Sequence, residues 1–232
     1  MPQTLIRVGH KGADHLAPGN TADSFRASLE CGVDMIEFDV LRLRDGRLVL
    51  AHDFEDAGGR EPLTLDEGLD LFAEEAYGGV ELDVDLKLPG YERDVVDGLS
   101  ERGLDSRALV SSMYRESLAA IGELRPGLRR GWSVPKVKRD YTKSLVWALP
   151  AYGALRRMRA GLPAKAARAL RAGECEALMV NHHLISRLLV KRVHEAGGAL
   201  YVWTVDDAAE ITRFEALGVD AVITNDPRLF SP

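Results

Sequence analysis

Glu37, Asp39 and Asp85 are carboxylates whose spacing and surroundings predict a metal site. Glu37 and Asp39 lie two residues apart in an apolar run, so both point to the same side of a strand. Asp85 lies in a similar run, and three like charges close together repel one another unless a cation is bound. Because the donors are all oxygen, without Cys or clustered His, they suit a hard divalent ion, Mg²⁺ or Ca²⁺.

The strand that carries Asp85 leaves the choice of the third ligand open. Glu81 and Asp83 alternate with Asp85 on the same face, so either of them could take the ligand role. The competing interpretation is that this run is an acidic strand face without a metal.

Two histidines and two lysines add proton-transfer groups and positive charge to the predicted carboxylate cluster. His10 and His52 each follow an apolar run, and imidazoles exchange protons near neutral pH. Lys11 and Lys87 are cationic donors suited to phosphate oxygens. A metal, two bases and two cations together predict the cleavage of a phosphodiester.

These residues need a scaffold that brings the ends of several strands together. Short apolar runs alternate with amphipathic segments that end at glycine. This alternation predicts a TIM (β/α)₈ barrel, whose active sites lie at the carboxyl ends of the strands. The candidate strands are Leu5–Gly9, Met35–Val40, Leu48–Ala51, Val80–Leu88, Ala108–Ser112, Leu128–Val134, Ala177–Asn181, Leu200–Val205 and Ala221–Thr224. The candidate helices are Thr21–Cys31, Arg93–Arg102, Ser117–Leu124, Ser186–Ala196 and Ala208–Leu217.

Nine candidate strands for eight barrel positions leave one extra strand, which we assign to a hairpin within Met35–Asp53. Asp45 and Gly46 separate two alternating runs and are a strong signal for a two-residue turn. With these two as the turn residues, Asp39 faces His52, which gathers two carboxylates and an imidazole on one face. A longer turn would shift this register.

Other polar residues at the strand ends have a simpler interpretation. Asp206, Asn225 and Asp226 are favoured as helix N-caps, because Asp and Asn are preferred in that position. The run Asn181–His183 either lines the pocket or serves local structure, and the sequence alone does not choose between these roles.

Several short motifs occur in order over nearly the whole chain. They are His10-Lys11-Gly12, Pro18-Gly19-Asn20-Thr21, Ser24-Phe25, Gly32–Val40, Asp45-Gly46, His52-Asp53, Asp85-Leu86-Lys87, Ser111-Ser112, Trp203-Thr204-Val205 and Gly218–Pro227. Any single motif is a weak signal, but their succession is specific. It resembles the succession found in the glycerophosphodiester phosphodiesterases.

The resemblance implies a TIM barrel that hydrolyses glycerophosphodiesters to glycerol 3-phosphate and an alcohol with a divalent metal. Position by position, it assigns metal binding to the three carboxylates and acid/base catalysis to His10 and His52. It assigns a phosphate contact to Lys87 and the substrate pocket to Trp203, and Lys11 is the second candidate for the phosphate by its charge. The nucleophile is either water or the glycerol 2-hydroxyl, and the sequence does not assign acid and base between the two histidines.

Three positions depart from the family pattern. Lys11 stands where arginine is usual, and a lysine supplies a point charge instead of a bidentate fork. Gly19 replaces a glutamate of the Pro-Glu-Asn-Thr stretch, and Asp85 replaces a glutamate that is longer by one methylene. These differences bear on substrate range and metal preference more than on the reaction class.

Two other functions are compatible with these motifs. One is a lipid-directed phosphodiesterase on the same barrel, similar to the lysophospholipase D and sphingomyelinase D enzymes. The other is a non-catalytic barrel that binds phosphate esters or membranes. The presence of both histidines and all three carboxylates argues against the non-catalytic alternative.

Composition and charge limit the class of protein. The 232 residues are 46% hydrophobic and 28% charged, as in an ordinary globular enzyme, and we expect one domain over residues 1–232. A formal net charge of −6 argues against nucleic acid as a partner. Neither a membrane span nor a secretory signal is recognisable, so we expect a cytoplasmic protein. The oligomeric state cannot be read from the sequence.

Positive charge is concentrated in residues 129–171, between the sixth and seventh candidate strands. Twelve basic residues and one acidic residue give this segment +11 and leave −17 for the rest of the chain. Its length predicts a basic insertion with one or two helices. It is either a solvated layer paired with the acidic body or a rim that gathers anionic phosphodiesters or contacts an anionic membrane. The basic residues are Arg129, Arg130, Lys136, Lys138, Arg139, Lys143, Arg156, Arg157, Arg159, Lys165, Arg168 and Arg171, and the aromatic ones are Trp132, Tyr141, Trp147 and Tyr152.

Overall fold

Eight parallel strands close into a barrel, which confirms the TIM (β/α)₈ fold predicted from the sequence. The computed structural model describes residues 4–135 and 148–230. In chain order the strands are β1 (Ile6–Gly9), β2 (Met35–Arg42), β3 (Leu48–Leu50), β4 (Glu81–Leu86), β5 (Ala108–Ser112), β6 (Arg129–Val134), β7 (Ala177–Asn181), β8 (Ala199–Trp203) and β9 (Ala221–Thr224). Strand β1 pairs in parallel with both β2 and β9, which closes the ring, whereas β3 pairs antiparallel with β2 outside the ring.

Helices in the connections cover the outside of the barrel. Thr21 and Thr64 each start a helix with a capping box, which satisfies backbone N–H groups of the first turn. The helices are α1 (Ala22–Glu30), α2 (Phe54–Gly59), α3 (Leu65–Ala73), α4 (Glu92–Glu101), α5 (Arg115–Leu124), α6 (Ala148–Arg171), α7 (Arg187–His194) and α8 (Ala208–Leu217). Within residues 4–135 and 148–230, no helix has the length and apolar character needed to span a membrane.

Every second residue of a barrel strand points into the barrel, and the others face the helices. On β2, Met35 belongs to the apolar cluster that fills the barrel interior, whereas Ile36 and Phe38 belong to the core beneath the helices. Glu37 and Asp39 continue the inward series of Met35 towards the carboxyl end of the strand. The barrel therefore presents polar side chains of the inward series at the mouth formed by the carboxyl ends of its strands.

The hairpin of β2 and β3 has a different register from the predicted one. Val40 faces Leu50, so opposed positions are shifted by one residue, and the prediction that Asp39 directly faces His52 is wrong. The connection is a three-residue loop in which Gly46 takes a φ of +93°, instead of the two-residue turn assumed in the prediction. The extra loop residue is the physical reason for the shift.

The basic segment 129–171 contains two regular barrel elements. Residues 129–134 are β6, and residues 148–171 are α6, the helix that connects β6 to β7. Strand β6 and the end of α6 belong to the ordinary strand–helix alternation, and residues 136–147 lie outside the described residues, so the prediction of an insertion here stays a prediction. The residues of the predicted segment that lie outside the described residues include Lys136, Lys138, Arg139, Tyr141, Lys143 and Trp147.

Candidate active site

Three carboxylates meet at the mouth of the barrel. Glu37, Asp39 and Asp85 each offer one oxygen atom, and these atoms lie within 4.8 Å of one another. The register of β2 and β4 is the cause, because it places Asp39 beside Asp85. Glu37 and Asp39 are only 5% and 0% exposed. The structure therefore brings together the three residues that the sequence predicts as metal ligands.

Lys87 neutralises part of this buried charge. Its Nζ contacts Asp39 Oδ1 and lies 2.5 Å from Asp85 Oδ2. Burial alone would raise the pKa of Asp39, but the positive charge of Lys87 keeps that pKa well below its usual range. Burial would likewise lower the pKa of Lys87, but the charges of Asp39 and Asp85 raise it well above its usual value. Lys87 is therefore a permanent cation beside the carboxylates.

One lysine leaves the three carboxylates with excess negative charge. Burial and the charge of Asp39 raise the pKa of Glu37 well above its usual range. Asp39 Oδ1 is fully buried and lies in the ion pair with Lys87. A divalent cation would balance this charge and coordinate that oxygen, and an all-oxygen donor set suits Mg²⁺ or Ca²⁺. The residues present therefore fit a hard divalent metal.

Glu81 and Asp83, the competing candidates for the third ligand, lie outside this cluster. Glu81 forms a 3.0 Å ion pair with Arg129 at the amino ends of their strands. Asp83 is 1% exposed and accepts a 2.7 Å hydrogen bond from Ser111. Burial is the main reason that the pKa of Asp83 rises to about 8, although the hydrogen bond from Ser111 opposes the rise. Asp83 is therefore a largely neutral acid below the carboxylate cluster at pH 7.

A chain of hydrogen bonds orients the ring of His10. Its Nδ1 lies 2.6 Å from Asn225 Oδ1, an oxygen that only accepts, so Nδ1 carries the proton. Asp206 orients Asn225 in turn, accepting from the amide nitrogen Nδ2 at 2.7 Å and from the backbone N–H at 2.8 Å. His10 Nε2 then presents its lone pair to the site, 3.8 Å from Glu37 Oε2, and burial lowers the pKa of His10.

Asp206 and Asn225 are site residues that the interpretation as helix caps missed. The N-cap of α8 is Asp207, which leaves Asp206 available for Asn225. Asn225 lies 215 positions from His10, and it reaches His10 because β1 pairs with β9. The only signal in the sequence is the position of each residue directly after an apolar run.

His52 follows β3 and is held by the start of α2. Its Nδ1 lies 3.1 Å from Asp53 Oδ2, and its backbone N–H donates to Asp56 Oδ2 at 3.0 Å. Hydrogen bonds from Asp56 and His52 lower the pKa of Asp53. The charges of Lys87, His52 and His10 all act to lower the pKa of Asp39, against the effect of its burial.

Asn20 is a second polar residue to which the sequence analysis assigns no role in the site. It is fully buried with a φ of +59°, and its amide donates to Asp39 Oδ2 at 2.8 Å while its oxygen accepts from the Asp39 N–H at 3.0 Å. Two hydrogen bonds to one residue fix the direction of its carboxylate. Asn20 therefore positions Asp39.

A cleft of about 350 Å³ beside the centre is lined by Lys11, Asp14, Gly19 and His52, among others. The structure explains why position 19 is a glycine and not the glutamate of the family pattern. A Cβ at Gly19 would come within 2.6 Å of Asp14 Oδ1, and the Gly19 N–H donates to that same oxygen at 2.8 Å. Asp14 also lies 3.4 Å from Lys11 Nζ. Asp14 thus supplies the carboxylate at this edge of the site.

Trp203 and the His182–His183 pair lie on the far side of the mouth. Trp203 ends β8 and packs on the apolar cluster of the barrel interior. His182 Nδ1 lies 2.8 Å from the Thr204 carbonyl oxygen, and its Nε2 lies 3.1 Å from His183 Nε2. The Thr204 carbonyl fixes the ring of His182, so this residue has a local structural contact whatever its role in binding.

A (β/α)₈ barrel with an acidic, imidazole-flanked centre at the carboxyl ends of its strands has the architecture of a TIM-barrel enzyme. Residues 10–57 and 83–229 match the model of the glycerophosphoryl diester phosphodiesterase family, and the chain belongs to that family. This match confirms the family and the enzyme class predicted from the motifs.

Two relatives extend over almost the whole chain. A glycerophosphodiester phosphodiesterase of Caldanaerobacter subterraneus is 27% identical and covers 97% of this chain and 95% of its own length. Another, from Arabidopsis thaliana, is 30% identical and covers 95% of this chain and 70% of its own length.

Solved structures confirm the fold. A glycerophosphodiester phosphodiesterase from Parabacteroides distasonis has a TM-score of 0.73 at 17% identity, over 97% of this chain and 94% of that one. An Oleispira antarctica phosphodiesterase, solved with sn-glycerol-3-phosphate, has a TM-score of 0.70 at 20% identity, again over 97% and 94%.

The buried Asp83 predicts a pH dependence of stability. Its pKa of about 8 in the fold exceeds its unfolded value, so its contribution is complete at acidic pH and is lost as the pH rises towards 8. In Asp83→Asn the side chain does not titrate, so this loss is absent. With both proteins treated with EDTA, we expect the free energy of unfolding of the variant to rise relative to that of the wild type between pH 5 and pH 9, on the order of a few kcal/mol. Urea unfolding at several pH values measures the difference. Glu81→Gln on the same strand is the matched control, and an Asp83→Asn difference that does not change with pH contradicts the assignment.

The Asp206–Asn225 pair predicts a specific effect on the tautomer of His10. Asn225→Leu removes the acceptor, so the proton is no longer fixed on Nδ1, and kcat falls about 10- to 100-fold with little change in KM. The ¹⁵N chemical shifts of the His10 ring report the tautomer independently of activity. Asp226→Asn, which alters the neighbouring ion pair with Arg228, is the control. Unchanged ring shifts in Asn225→Leu would show that the pair does not orient His10.

Proposed function

We propose that this protein hydrolyses glycerophosphodiesters to glycerol 3-phosphate and an alcohol, with a divalent metal and acid/base catalysis by two histidines. The observation that carries the proposal is the buried carboxylate cluster at the mouth of the barrel, with His10 3.8 Å from Glu37 and His52 in the adjoining cleft. Membership of the phosphodiesterase family supports the substrate class. The product complex of the Oleispira antarctica phosphodiesterase agrees with the same product.

Glu37, Asp39 and Asp85 are the proposed ligands of one Mg²⁺ or Ca²⁺ ion. When bound, the ion polarises a phosphate oxygen and neutralises charge that develops in the transition state. Asn20 keeps the Asp39 carboxylate in a fixed direction through its two hydrogen bonds. Lys87 balances the remaining charge and, with Lys11, contacts the phosphate oxygens.

His10 is the proposed general base and His52 the proposed general acid. Because His10 keeps its proton on Nδ1 and its pKa is lowered, Nε2 presents an unprotonated lone pair to the nucleophile at neutral pH. His52 donates Nδ1–H to the Asp53 carboxylate, which orients the ring that protonates the departing alkoxide. Trp203 lines the substrate side of the mouth.

The test measures alcohol release from glycerophosphocholine, glycerophosphoethanolamine and lysophospholipids. We expect turnover of the glycerophosphodiesters that EDTA abolishes and that Mg²⁺ or Ca²⁺ restores. His10→Ala and His52→Ala each lower kcat at least ~10²-fold, since each removes one proton-transfer group. His194→Ala, whose ring pairs with Asp220 outside the site, serves as the control and keeps normal turnover.

Three results would contradict the proposal in different ways. Full turnover in EDTA excludes the metal, and near-normal turnover in both histidine variants excludes the acid/base scheme. Release from lysophospholipids alone would assign the chain to the lipid-directed alternative. No release from any of these substrates with metal supplied would favour a binding protein.

A further inference from the structure

Helix α6 is much longer than the barrel requires. It has 24 residues, whereas α1, α3, α4, α5, α7 and α8 have 8 to 10 each. Among the α6 side chains that the structure describes, the buried ones run from Leu162 to Leu170, so the last part of α6 covers the barrel as the other helices do. Residues 148–161 extend roughly 21 Å beyond this packed part at 1.5 Å per residue. Pro163, which cannot donate a helical hydrogen bond, lies at the junction.

This extension of α6 stands beside the mouth of the barrel. A helix that connects two parallel strands runs back along them, so α6 begins at the end of the barrel that carries the site. A contact supports this placement: Arg159 Nη2 donates to the Ile185 carbonyl at 2.6 Å, and Ile185 follows the carboxyl end of β7. The first turn of α7, which starts two residues later, adjoins the extension.

Exposed cations and exposed apolar side chains occur together on this part of the surface, which we call the α6–α7 rim. It consists of Arg156, Arg157, Met158, Arg187 and Leu188, all exposed to solvent. Met158 is 42% and Leu188 53% exposed, and they are two of the three large apolar side chains that are exposed among the described residues. Neither α6 nor α7 contains an acidic residue.

We propose that the α6–α7 rim docks the protein on the surface of an anionic lipid bilayer, with the mouth of the barrel close to the lipid. The arginines attract anionic head groups, and the exposed Met158 and Leu188 enter the boundary between head groups and acyl chains. The whole chain carries −6, so the attraction comes from this local surface and not from the net charge. This inference concerns binding and does not depend on the proposed phosphodiesterase activity.

The test is co-sedimentation of the full chain with vesicles. We expect binding at low salt to vesicles of phosphatidylcholine mixed with phosphatidylglycerol, loss of binding at high salt, and none to phosphatidylcholine alone. Each cation close to such a surface contributes about fivefold to binding, so reversing two charges lowers the partition coefficient at least ~20-fold.

Two charge-reversal variants separate a local rim from general electrostatics. Arg157→Glu with Arg187→Glu changes the rim, and Arg168→Glu with Arg171→Glu makes the same charge change on exposed positions at the opposite end of α6. We expect the rim variant to lose binding and the distal variant to keep it. Met158→Ser with Leu188→Ser keeps the charge and weakens binding severalfold, because it removes the apolar contacts.

Several outcomes would overturn the proposal. Failure of the wild type to bind anionic vesicles at low salt excludes a membrane surface and leaves an acidic protein as the alternative occupant. Equal loss of binding in the rim and distal variants shows that only total charge matters. Circular dichroism verifies that the rim variants are folded.

Discussion

The burial of like charges at one point is the constraint on which the rest of this structure depends. Glu37, Asp39 and Asp85 would repel one another at this depth without compensation, and a single lysine, Lys87, balances only part of their charge. Burial and the charge of Asp39 raise the pKa of Glu37, and a divalent cation fits the site because it would offset the remaining negative charge. In the metal-free protein, the fold holds these three carboxylates together against their mutual repulsion.

The polar residues around the cluster each orient one of its members. Asn20 fixes Asp39 with two hydrogen bonds, and Asp206 acts through Asn225 to fix the tautomer of His10. These partners come from loops at the carboxyl ends of strands that the barrel holds rigidly, so the strands supply the carboxylates and the loops supply the residues that orient the site. The same division explains how α6 can carry an extended, basic first half without disturbing the centre.

Much of this arrangement could be predicted from the sequence, because both the strand period and the strand–helix alternation are local patterns. Glu37, Asp39, His10 and Asp85 were recognisable from their places at the ends of apolar runs, and the structure brings them together. The register of the β2–β3 hairpin was not predictable, because one residue in the left-handed conformation at Gly46 lengthens the turn. Asp206 and Asn225 looked like helix caps, since a cap and a hydrogen-bond relay use the same residue types.

The amino-acid sequence by itself determined the barrel, the inward carboxylates and the family, because these depend on the order of residues along the chain. Only the tertiary structure decided which carboxylates share a site and which stay apart. Asp83 differs from Asp85 by two positions on one strand, yet depth in the barrel makes it a neutral acid with a pKa of about 8. The depth of a side chain in the barrel depends on how remote parts of the chain pack together. The pairing of β1 with β9 and the contact of Arg159 with Ile185 likewise join parts that are far apart in the sequence. No local pattern encodes them.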